Sequence, residues 1–137
     1  MSESILGFAF PFRIDSTGSV ALQSGDDYLH AAFVFQHGAK PDDYLKAHLL
    51  AMVAVARGQP AALWIGSATL DRYLQSIGQP QVLGTQFKVS QDGKASQDPY
   101  ARDLLSDSLR QALRVPTPAD QEEQRRKYER EATAAKP

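Results

Sequence analysis

Three histidines and one adjacent acid–base pair are the groups in this chain best suited to moving protons or gripping a polar ligand: His30, His37, His48 and Asp71-Arg72. His30 and His37 share one line of a helix, but seven helical residues separate them by about 10.5 Å. One metal ion cannot bridge that gap, so the two are not a metal pair; no metal site is expected, and no cofactor either, since no cofactor-binding motif occurs in the sequence. His37 stands beside Gly38 at an expected helix C-terminus, where the dipole favours imidazolium. It is the candidate general acid or base, with capping of the helix end as its plain alternative. His48, between Tyr44 and Met52 at helical spacing, reads as a core or boundary residue. Asp71 and Arg72 fall on the arc of a helix that also carries Trp64, Ile65 and Ala68, so both should be partly buried and in need of partners. Neighbours on a helix point about 100° apart, so the two should reach different groups. In the structural reading the carboxylate ties down a loop and the guanidinium satisfies carbonyls of residues 81–87. In the catalytic reading Asp71 orients His37, and Arg72 holds an anionic or amide-bearing ligand. His37, Asp71 and Arg72 are the candidate catalytic set.

The elements that must position these groups follow from periodicity. Phe8, Phe10, Phe12 and Ile14 alternate with Ala9, Pro11 and Arg13, a period of two that predicts a strand, confined to a sheet edge by Pro11. Asp15-Ser16-Thr17-Gly18 supplies a turn, and Ser19–Gln23 returns. The result is an N-terminal β-hairpin whose aromatic face needs cover from the helices or from a partner. Helix one is expected over Tyr28–His37, behind caps at Ser24-Gly25-Asp26-Asp27 and closed by Gly38. Helix two runs from Pro41 to Arg57 and stops at Gly58; helix three opens at Pro60 and ends at Ile77, before Gly78 and Pro80. Short loops make the three antiparallel neighbours. Helices one and three echo one another at an offset of 30 residues, near the period of helical-hairpin repeats. A second hairpin is expected, turning at Asp92-Gly93, followed by a helix over Tyr100–Leu113. The polar segment Ala119–Ala132, with Glu122/Arg126 and Glu123/Lys127 at helix-supporting spacing, should be a solvated helix. The fold class is therefore mainly α: a tetratricopeptide-like antiparallel three-helix core over residues 26–115, an N-terminal β-hairpin over 1–25, and an exposed C-terminal helix or tail over 116–137.

Composition removes several functions. The chain has 137 residues, 42% apolar and 23% charged, a net charge of −1 and no cysteine. That is one ordinary domain with tails, with no electrostatic case for nucleic acid or an anionic membrane and no thiol chemistry. No apolar run approaches a membrane span, and the acidic start at Glu3, with Pro11 interrupting Phe8–Arg13, does not resemble an export signal. A cytoplasmic location is expected. Phosphate-binding glycine loops, HExxH, GxSxG and dinucleotide fingerprints are missing from the sequence.

Three spaced motifs carry a resemblance: Phe35-Gln36-His37-Gly38, Asp71-Arg72-Tyr73-Leu74, and Gly78-Gln79-Pro80-Gln81-Val82-Leu83-Gly84-Thr85-Gln86-Phe87. Over roughly residues 26–118 the chain resembles an uncharacterised bacterial family of small helical domains that read QH, DR and then G-x-x-Q-x-Y-GTQF. It departs at Leu83, where the pattern has tyrosine. The resemblance implies that Gln36, His37, Asp71, Arg72, Gln81, Thr85 and Gln86 converge on one site, with the glutamines and Thr85 as ligand- or partner-binding groups. Separately, Phe8–Asp15 with Gly18 is similar to the start of the lysozyme-like baseplate wedge proteins of phage tails and type VI secretion.

The function expected from these readings is a non-catalytic binding module that presents a polar groove around His37, Asp71, Arg72 and Gln86 to a peptide or protein partner. A small enzyme or small-molecule binder using the same residues is the competing class. A structural component of a tail-like assembly is a third, motivated by the hairpin.

Overall fold

A computed structural model describes residues 13–14 and 20–135 of the chain. Its element order is β1 (Arg13–Ile14), β2 (Val20–Ala21), α1 (Gly25–Phe35), α2 (Pro41–Ala56), α3 (Ala62–Ser76), β3 (Lys88–Val89), β4 (Ala95–Ser96), α4 (Asp107–Ala112) and α5 (Pro118–Ala134). The protein is mainly helical, with two small two-stranded antiparallel sheets. In the first, Arg13 pairs with Ala21 and Ile14 with Val20. The expected aromatic strand at Phe8, Phe10 and Phe12, and the turn at residues 15–18, lie outside the described residues. The chain divides into two units, residues 1–69 and 70–137, and the division falls inside α3.

In the first unit the capping chemistry read from sequence is present. Ser24 Oγ accepts from the Asp27 N–H at 3.1 Å, and Asp27 Oδ2 accepts in return from the backbone N–H groups of Gln23 and Ser24, both at 3.0 Å. This reciprocal box satisfies donors that the first helical turn leaves open. Pro41 begins α2, and Asp43 Oδ2 accepts from the Lys40 N–H at 3.3 Å. Gly58 and Gly78 follow α2 and α3 with φ of 88° and 77°. Gly38 is needed for space: a Cβ there would collide with the Asp43 side chain.

Ala32, Ala51, Ala54, Ala62 and Ile65 form the core cluster of this unit, with Tyr28, Leu29, Leu50 and Val55 packed against it. Alanines at crossing points let helix backbones approach closely; a Cβ placed on Gly66 would meet the Ala51 methyl at 3.3 Å. Several large apolar side chains nonetheless lie on the outside: Phe33 is 41%, Leu49 52%, Met52 56% and Trp64 42% exposed. His48 bridges α2 to α3 through Nδ1, 2.8 Å from the Gly66 carbonyl oxygen, which requires the proton on Nδ1. It is a half-buried boundary histidine, as expected.

The second unit has a different interior. Its buried apolar residues are Leu83, Ala95 and Val115, and beside them lie Asp71, Gln81, Gln97, Arg110 and Gln121, each 3% exposed or less. A polar core of this kind survives only if its groups are hydrogen-bonded. Helical structure expected across Tyr100–Leu113 is confined to α4, which Ser106 caps by accepting from the Leu109 N–H at 3.2 Å. At its start Tyr100 is bridged to Gln81 instead, with the Gln81 N–H donating to the Pro99 carbonyl at 3.1 Å and the Ala101 N–H to the Gln81 carbonyl at 2.9 Å, and residues 102–105 then turn into α4.

Candidate functional site

Asp71 lies in the α3 turn that opens the second unit and is fully buried. Its Oδ1 accepts from the backbone N–H groups of Val82 at 2.8 Å and Leu83 at 3.0 Å; Oδ2 accepts from the Thr85 N–H at 2.9 Å and the Thr85 hydroxyl at 2.6 Å. A carboxylate offers about four acceptor positions, and the 82–85 loop fills them all. Asp71 therefore ties down a loop, the structural alternative read from its position on the helix.

Glutamines complete the job. Gln81 accepts from the Gln86 N–H at 3.0 Å and donates to the carbonyls of Gln86 at 2.9 Å and Gln97 at 2.5 Å. Gln97 donates to the Gly84 carbonyl at 2.8 Å, and Gln121 on α5 donates to the Leu83 carbonyl at 2.7 Å and the Pro116 carbonyl at 3.1 Å. An amide side chain presents the same donor and acceptor as a peptide unit, so these residues stand in for the missing sheet partners of the loop. Gly84 sits at the centre with φ 72°; a Cβ on it would run into Gln121 and Tyr100. Only glycine meets both conditions.

The guanidinium that reaches the loop backbone comes from Arg110 on α4. Its Nη1 donates to the Leu83 carbonyl at 3.0 Å and Nη2 to the Arg102 carbonyl at 3.3 Å, while Nε has no partner among the described residues. Arg110 also lies over the Tyr100 ring at 5.5 Å. The Tyr100 hydroxyl donates to Gln121 Oε1 at 2.7 Å. Burial pushes the Tyr100 hydroxyl pKa above its ordinary value; the Arg110 charge pulls it down and the Asp71 charge pushes it up. Arg72 joins the loop through a side chain: its Nε donates to Gln86 Oε1 at 3.1 Å, and Gln86 Nε2 lies 3.1 Å from the Thr85 hydroxyl oxygen.

Of the residues singled out by sequence, Asp71, Arg72, Gln81, Thr85 and Gln86 thus meet around one loop in the second unit. Gln36 and His37 belong to the first, at the C-terminal end of α1, where the Gln36 N–H donates to the Ala32 carbonyl at 3.0 Å and the His37 N–H to the Val34 carbonyl at 3.2 Å. Sequence reasoning missed Gln97, Tyr100, Arg110 and Gln121. No local signal marks them: Arg110 and Gln121 are polar residues of polar helices, and only the fold turns them inward.

Two surface depressions accompany this interior. An apolar groove of about 310 Å³ in the first unit is lined by Phe35, Leu49, Leu50 and Val53, with Lys46 above the Phe35 ring at 5.9 Å. A polar cleft of about 630 Å³ in the second lies between the Asp92–Lys94 turn and Arg126, Glu129 and Arg130 of α5. Among the described residues, no group of three or more His, Asp or Glu side chains is placed to hold a metal ion, and no helix is long and apolar enough to cross a membrane.

Comparison with protein-family models, with curated proteins and with solved structures gives no match to this chain.

Proposed function

We propose that the protein is a non-catalytic binding module for a peptide or protein partner, and that α1, α2 and the start of α3 act as a tetratricopeptide-like helical hairpin that presents the docking face. The observation that carries this reading is the inverted distribution of side-chain size in the first unit. Alanines fill its interior, while Phe33, Leu49, Met52 and Trp64 stay 41–56% exposed. Burying a leucine- or phenylalanine-sized side chain gains about 1.5–3 kcal/mol, so a fold serving only its own stability would place them inside. Contiguous apolar surface marks contact sites, and here Leu49 is joined by Phe35, Leu50 and Val53 as the lining of one groove. The groove of Phe35, Leu49, Leu50 and Val53 has a cation on its rim, Lys46, so the occupant that fits is a partner segment with apolar side chains and an acidic residue beside them.

The small-enzyme reading has less support, because it needs Asp71 to orient a base and the loop already fills the acceptor positions of that carboxylate. The docking face is accordingly assigned to the apolar groove and not to the polar cluster. A display selection of random peptides on the full chain tests this. Enriched peptides should carry apolar anchors with an acidic neighbour and lose binding to Leu49→Asp. Enrichment indifferent to Leu49→Asp, or no enrichment, would refute it.

A further inference from the structure

The hairpin β3–β4 is closed by the Ser90 N–H donating to the Lys94 carbonyl at 2.9 Å, with the Gly93 N–H donating to the Ser90 carbonyl at 2.9 Å. Ser90 thus stands opposite Lys94 at a hydrogen-bonding position of the ladder, with the Lys94 N–H turned to Asp92 Oδ1 at 3.1 Å. Such pairs alternate along an antiparallel ladder, so Lys88–Ser96 is the next one and Val89–Ala95, between them, exchanges no bonds. The N–H and C=O of Val89 and of Ala95 must point outward, towards the two edges of the hairpin. On the β4 edge α5 takes both groups: the Ala95 N–H donates to Glu129 Oε2 at 2.9 Å, and its carbonyl accepts from Arg125 Nη1 at 3.2 Å.

The β3 edge has no such cover among the described residues. Lys88 is exposed and Val89 is 46% exposed. The alternation continues one step back, since both backbone groups of Gln86 are bonded inward to Gln81. The backbone of Phe87 therefore points outward as well, and neither Phe87 nor Val89 has a backbone hydrogen bond to another described residue. Two outward N–H and C=O pairs at strand spacing form a template for one more strand.

We propose that the outer edge of β3 is a strand-addition site for an extended peptide bearing an acidic residue opposite Lys88 and apolar residues on either side of it. The side-chain pattern selects this occupant. Phe87 and Val89 share the face turned to α5, where the Phe87 ring meets Tyr128 edge-on at 5.1 Å, so apolar residues bonded to them extend an apolar surface. Lys88 lies on the opposite face, paired with Ser96, and directly opposite side chains on a ladder interact. A second copy of the chain fits poorly. Two-fold pairing of β3 with itself would set Lys88 against its own counterpart, and like charges directly opposite are destabilising. The site lies in the second unit and stands independently of the apolar groove assigned above.

The test uses the full chain and three fluorescein-labelled heptapeptides of alternating threonine and valine: one with a central glutamate, one with a central lysine, and one with the glutamate but N-methylated at the two flanking valines. The glutamate peptide should bind, move the amide resonances of residues 87–90, and lose binding on N-methylation. Lys88→Glu, an exposed change whose folding circular dichroism confirms, should weaken the glutamate peptide about fivefold and tighten the lysine peptide. Absence of binding at about 1 mM peptide, indifference to N-methylation, resonance changes confined to α1 and α2, or self-association through Val89 would each overturn the proposal. Leu49→Asp should leave this binding unchanged, which separates its outcome from that of the groove.

Discussion

Asp71 shows how a residue that looks chemical on paper is committed by its surroundings. It was legible as a buried group because the helical wheel places it among Trp64, Ile65 and Ala68. Its loop contacts explain why it is an acid: three backbone donors and one hydroxyl converge on it, and only a carboxylate accepts them all. In Asp71→Asn one oxygen becomes an NH₂ that faces donors. The loss of charged hydrogen bonds and the buried donors left unpaired predict a destabilisation of about 3 kcal/mol, read by urea unfolding. Gly84→Ala should cost at least about 2 kcal/mol, from the left-handed backbone together with collision against Gln121 and Tyr100, measured in the same way. The partners of Asp71 were not legible. Gln97, Tyr100, Arg110 and Gln121 come from separate stretches, and a glutamine in a polar helix such as α5 looks the same whether it is solvated or buried. Their meeting is a tertiary fact with no local period.

Among the elements, those with caps and periodicity followed the sequence most closely. Ser24, Pro41, Gly58 and Gly78 bound helices because they meet donors or φ values that any helix end requires. The stretch before α4 departs from helical expectation because Gln81 recruits its backbone, a long-range pairing that no window of neighbouring residues contains. The end of α4 offers a test. Arg114 has φ 59°, and the Val115 N–H donates to the Arg110 carbonyl and the Arg114 N–H to the Gln111 carbonyl. This is a helix-closing arrangement that favours glycine. Arg114→Gly should stabilise the protein by about 0.5–1 kcal/mol, seen as a higher melting temperature. The last helix makes a pH prediction. Hydrogen bonding by Arg125 holds Glu122 down at about 2, and the Ala95 N–H, then Arg125, lower Glu129. Groups depressed on folding stabilise fully above their unfolded pKa and lose that contribution as pH falls towards the folded value. The protection of the Ala95 amide, its exchange rate relative to an unstructured amide at the same pH, should therefore hold down to about pH 4.5, the ordinary glutamate value, and be lost as pH falls further through the lowered Glu129 range.

At the scale of the whole molecule, the two units solve stability differently. The first packs helix backbones through alanine around Ile65 and leaves Phe33, Leu49, Met52 and Trp64 exposed; the second closes a polar loop inside amide and carboxylate partners and keeps few apolar residues in its core. The mainly helical character was visible in the sequence because caps and period agree there. The apolar groove was not: the wheel of α2 is apolar nearly all round, so periodicity could not say that alanines face in and Leu49 and Met52 face out. This outer face is the proposed docking surface. The most direct measurement is the affinity of a selected peptide for the wild-type chain, Leu49→Asp and His37→Ala, with the stability of each variant measured alongside. Because Leu49 is 52% exposed, Leu49→Asp should change stability by no more than about 0.5 kcal/mol. Yet it should weaken binding at least tenfold, the cost of losing a buried apolar anchor, while His37→Ala binds like the wild type. Loss of binding in His37→Ala with Leu49→Asp unaffected would refute docking at this face.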